Sequence, residues 1–139
     1  MLLDVRFLLE HLTSCAWAWT VEQCEQLLAL LGLHEVEADQ GRRHFRAPSG
    51  LMASLHSGAG GSPISFAFPF EIPVAVRSEP ERLAQFVDLI AWPVKAILGE
   101  PTAFSDTAGG SRSWILPAAR ITVDGSGEDT VSLIISRPS

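Results

Sequence analysis

At 139 residues, 47% of them hydrophobic, the chain is long enough for one domain that buries its apolar surface without disulfide staples. Sixteen acidic residues against ten basic ones leave a formal charge of −6, which excludes a concentrated basic face for nucleic acid. No apolar run approaches a membrane span, and Asp4, Arg6 and Glu10 interrupt the N-terminal segment. Cys15 and Cys24 form no CxxC and have no matching histidine pair, so both read as reduced, buried thiols, and a cytoplasmic setting is expected.

In chain order, residues 4–12 have the spacing of a short amphipathic helix, with Val5, Leu8, Leu9 and Leu12 on one side. Trp17 and Trp19 share parity in CAWAW and point to one side if that segment is extended. Thr20 opens a second helix, with Gln23 completing a capping box and Gly32 ending it. The period then changes to two. Residues 42–47 and 51–56 are predicted strands joined by Pro48, Ser49 and Gly50. Glu35, Glu37 and Asp39 precede Arg42, Arg43 and Arg46, a pattern of a solvated, self-paired surface. The loop SGAGGSP has no lysine and lacks the GxxxxGK[ST] spacing of a phosphate loop.

Residues 64–76 alternate without a break, from Ile64 through Phe66, Phe68 and Phe70 to Val76. Pro69 and Pro73 share parity, so both missing amides fall on one lateral side. That places the strand at a sheet edge or at least interrupts its ladder. Ser78 and Glu81 read as a capping box for a long helix ended by Gly99 and Pro101. Its buried stripe runs from Leu83 to Leu98, and Trp92 lies nearly opposite, flanked by Leu89 and Pro93. Segments 112–116, 119–123 and 130–136 read as three further strands. The expected architecture is a single α+β domain over residues 1–139, with no internal repeat. Its sheet is mostly antiparallel, and the N-terminal helices and the long helix pack on one face.

No catalytic signature is present: GxSxG and HExxH are absent, and Cys15 has no evident base. His11, His34, His44 and His56 are scattered, whereas a metal site needs about three or four converging ligands. The expectation is a non-enzymatic chain without metal or cofactor. Trp92 is open to two readings, one in which the N-terminal helices or the Trp17–Trp19 segment cover it, and one in which it faces a partner. Under the second, Trp92, Leu89 and Pro93 form the contact, with Glu35, Glu37 and Asp39 as an acidic rim.

Trp17 and Trp19 entering a capped helix that ends in Leu31-Gly32, a long helix ending Leu98 to Thr102 (LGEPT), and Trp114 opening a later strand resemble a group of small actinobacterial proteins. Some with this layout are similar to immunity proteins of polymorphic toxin systems. That resemblance implies neutralisation of a toxin by binding, and an acidic chain suits a basic toxin. The order of elements is also similar to secretion chaperones, which implies a homodimer holding a secreted effector. A carrier of a small apolar ligand, using Phe66, Phe68 and Phe70, is a third expectation.

Overall fold

The computed structural model describes residues 3–14, 16–39, 41–105, 110–127 and 129–138, so Cys15 lies outside the described residues. Asp4 caps the first helix, α1 (Val5–Thr13), its carboxylate accepting from the Phe7 amide at 3.0 Å. Thr20 caps α2 (Val21–Leu30) by accepting from the Gln23 amide at 3.2 Å. The Gln23 side chain does not close the reciprocal half of a capping box. Its oxygen accepts from Ala18 N and its amide group donates to Ala16 O, which folds the preceding segment back against the helix start. Gly32, with φ 86, ends α2, and the Leu33 amide donates back to Leu28 O at 2.9 Å.

Four strands follow: β1 (His34–Asp39), β2 (Arg42–Arg46), β3 (Met52–Ser57) and β4 (Pro63–Glu71), with a short 3-10 turn at Ala59–Gly61. Then come α3 (Pro80–Leu98), β5 (Ala103–Ser105), β6 (Ser111–Ile115), β7 (Arg120–Asp124) and β8 (Thr130–Ser136). All eight strands form one antiparallel sheet in the order β1-β2-β3-β4-β8-β7-β6-β5. The chain is therefore an α+β fold. The order is palindromic: α2 with β1–β4 and α3 with β5–β8 are two helix-plus-meander halves, joined where β4 meets β8. No sequence repeat announces this duplication of topology.

Side-chain alternation fills one face of the sheet. Phe66 and Phe68 of β4 stand opposite Ile135 and Leu133 of β8, and all four are fully buried. Leu55, Ile121 and Val123 extend this layer, and Leu8, Leu12, Leu27, Leu28, Val87 and Val94 of the helices join it in one core. Each such side chain contributes about 1.5–3 kcal/mol by leaving water. Helix α3 lies against β6, β7 and β8 and touches α1. Trp17 and Trp19 lay their rings against Phe66, with centroids at 6.2 and 5.6 Å, and the Trp19 indole donates to Ala118 O at 2.7 Å.

Three expectations change. The β4 strand is central, not at an edge, and it ends at Glu71. Ile64 O accepts from Arg137 N and Ile72 N donates to Asp129 O, both at 2.8 Å, so even-numbered residues face the β8 side. Odd-numbered Pro69 therefore faces β3, and the β3–β4 register stops at Ser54 opposite Ala67, before Pro69 is reached. The proline interrupts the ladder as its missing amide requires, and the edges belong to β1 and β5. Ser78 is not the cap of α3: Glu79 holds that position without a side-chain cap bond, and Pro80 at the first turn has no amide to satisfy. Phe66 and Phe68 are packed into the core, so the aromatic face of β4 is filled by protein instead of a ligand.

Candidate partner-binding cleft

Helix α3 turns its Val87, Ile90, Ala91 and Val94 inward, which at helical spacing carries Leu89 and Trp92 outward. Both are 64% exposed. The N-terminal tryptophans do not cover them, because Trp17 and Trp19 pack on Phe66 instead. Pro93 is half-buried inside the helix, which continues to Leu98. Across from Trp92, edge strand β5 presents Phe104, 61% exposed. Between them lies a cleft of about 320 Å³, lined among others by Asp88, Trp92, Lys95, Phe104, Arg112 and Trp114.

Its walls are fixed by specific bonds. Gly99, with φ 82, ends α3, and its amide donates to Lys95 O at 2.8 Å. Buried Trp114 of β6 donates its indole N–H to Gly99 O at 2.9 Å, tying the helix end to the sheet. Arg112 of β6 bridges the same two elements through Asp88 at 3.2 Å and lays its guanidinium over the Phe104 ring, 5.0 Å from the centre. Lys95 and Glu100 form a second ion pair at 3.1 Å. Two exposed aromatic side chains, Trp92 and Phe104, are thus flanked by the Arg112–Asp88 and Lys95–Glu100 ion pairs.

The acidic segment is elsewhere. Glu35, Glu37 and Asp39 lie on β1, the opposite edge of the sheet from β5, seven strand positions and about 30 Å away. They form no rim to the Trp92 cleft. Glu35 is occupied by Arg43, whose Nε and Nη2 donate to its two oxygens at 2.6 and 3.0 Å, and Arg43 also reaches Glu25 of α2 at 3.1 Å. The hydrogen bonds from Arg43 hold the Glu35 carboxyl below its ordinary pKa. Asp39 lies 3.6 Å from His44.

Asp88, Phe104 and Arg112 were not singled out by sequence. An isolated phenylalanine after the LGEPT turn was the one local signal for Phe104; Arg112 is recruited by strand pairing, which its own segment does not encode. On the open face of the sheet, Ser54 Oγ and His56 Nε2 lie 3.3 Å apart, and burial, then the Arg42 charge, lower the His56 pKa. Among the described residues no three metal-ligating side chains converge. Cys24 is free and fully buried, its thiol pushed up to about 12 chiefly by burial. No helix is long and apolar enough to cross a membrane among the described residues. Comparison with known proteins returns no matching family model, no matching curated sequence and no matching solved structure.

Proposed function

We propose that this chain is a non-enzymatic protein-binding domain, an immunity-type inhibitor that neutralises a toxin by binding it through the Trp92 cleft. The observation that carries this reading is Trp92 itself, which stays exposed on a helix whose opposite side is core, facing exposed Phe104. A tryptophan beside a second aromatic anchor is the usual composition of an interface centre. The charge of −6 favours encounter with a basic partner by long-range attraction, while the cleft supplies the short-range contact.

The deciding experiment isolates the complex from the source cells and measures its stoichiometry and affinity with wild type and Trp92→Ala. One partner bound one-to-one, with affinity reduced at least about 30-fold in the variant and folding unchanged, supports the reading. Equal affinity in the variant overturns it.

Edge strand β5 beside the cleft supports a second reading, in which an extended effector segment is held by a chaperone. That reading requires a homodimer and a disordered client, so sedimentation of the purified chain separates the two.

A further inference from the structure

The palindromic sheet puts Arg43 and Arg112 in equivalent places. Each stands on the second strand of its meander and faces the core side, opposite Leu55 and Val123 respectively. Each also reaches an acid on the helix that precedes its meander, Arg43 to Glu25 at 3.1 Å and Arg112 to Asp88 at 3.2 Å. The first strands then differ. β1 supplies Arg43 with a second carboxylate, Glu35, at 2.6 Å. β5 instead sets Phe104 opposite Arg112, and the guanidinium rests on its ring.

Among the described residues Asp88 is the one carboxylate paired with Arg112. One further contact of its fork is Nη1 to Ser111 O at 3.2 Å. A guanidinium carries five N–H donors in a planar array that matches a carboxylate. Arg43 is paired with two acids and Arg112 with one among the described residues, while Lys95 and Glu100 of the cleft pair with each other. Among the described residues the second acid of the first site has no counterpart at Arg112, and Arg112 lies in the wall of a cleft that carries two exposed aromatic rings, Trp92 and Phe104.

Resting on the reading of the cleft as the partner-binding site, we propose that it seats a glutamate or aspartate side chain of the protein partner, flanked by an apolar residue. The carboxylate takes the position at Arg112 that Glu35 takes at Arg43. The apolar neighbour packs between Trp92 and Phe104. The overall negative charge of the chain steers the partner; this local pairing fixes which of its residues enters.

The test is an NMR titration of the full chain with N-acetyl-Phe-Glu-Leu-amide and N-acetyl-Phe-Gln-Leu-amide as probes, read at the Trp92 indole and Arg112 Nε–H signals. The acid probe is expected to move both signals and to bind at least fivefold more tightly than the amide probe. Arg112→Lys, which keeps the charge but loses the fork, is expected to abolish that preference; if it fails to fold, the wild-type comparison still decides. Equal binding of the two probes overturns the carboxylate seat and leaves the Trp92 contact standing. A Trp92 shift reproduced by free acetate overturns the requirement for a flanking apolar residue. No Trp92 shift with either peptide overturns the seat and the cleft as a binding site together.

Discussion

The Trp114 indole N–H donates to the carbonyl of Gly99, so the last turn of α3 is fastened to β6 at the point where the cleft has its floor. The glycine is required there by its φ of 82, and the tryptophan satisfies a helix-end carbonyl left without an amide of its own. Trp114→Phe keeps most of the ring volume and removes the bond. A loss of about 1 kcal/mol in urea unfolding is expected, with faster amide exchange at the end of α3. Unchanged exchange there would show that the fastening lies elsewhere.

Pro69 offers a test of the interrupted ladder. Pro69→Ala restores an amide that faces β3 near Met52. A new bond contributes about 1 kcal/mol, while the freed unfolded chain costs about 0.4–1 kcal/mol. The expected net change in urea unfolding is within about 0.5 kcal/mol, and the amide restored at this position is expected to be protected from exchange. An unprotected amide would mean that β3 and β4 diverge for a reason other than the proline.

Two groups with lowered pKa values, His56 and Glu35, contribute to the acid sensitivity. The His56 pKa lies below its ordinary value of 6.5, first from burial, then from the charges of Arg42 and His44. The unfolded chain therefore takes up this proton first, and stability present above pH 6.5 falls as pH drops through 6.5 toward the folded value. Glu35 lies below its ordinary 4.5 through hydrogen bonds from Arg43, so its contribution is held above pH 4.5 and lost as pH falls through its folded value. Exposure limits the second effect to about 1 kcal/mol or less. In pH-dependent urea midpoints, His56→Gln is expected to flatten the upper step and Glu35→Gln the lower one.

Cys24 is expected to resist thiol reagents until the protein unfolds, since its thiol is fully buried and its pKa is pushed up to about 12. In a Cys15→Ser background, labelling at about pH 8, near the ordinary thiol range, is expected to follow the rate of global unfolding. Rapid labelling in native buffer would mean that α2 opens locally.

Most of the secondary structure was legible because periodicity reports burial. The alternation through Phe66 and Phe68 and the stripe of Val87, Ile90 and Val94 both point to the core. Strand β1 lacked that signal, since every one of its residues is exposed. The parity argument held for Pro69, where the ladder is interrupted, while Pro73 lies beyond the end of β4; an edge and an interruption obey the same local rule, and only strand order separates them. Trp92 was legible as a residue directed away from the α3 core stripe. Its neighbours were not, because Phe104 and Arg112 reach it through the pairing of β5 with β6, whereas Glu35, Glu37 and Asp39 were carried to the far edge.

The junction at β4 and β8 also has a kinetic meaning. Within each meander every strand pairs with its neighbour in sequence, but Phe66 finds Ile135 only after α3 and three further strands have been passed. Among the strand pairings of this sheet it is the one that closes a long loop, so it carries the largest loop-closure entropy. Until β8 arrives, the growing chain holds a four-stranded half whose most aromatic strand is an open edge. The seam that makes the finished sheet continuous is, during synthesis, the place where it is most exposed to pairing with the wrong strand.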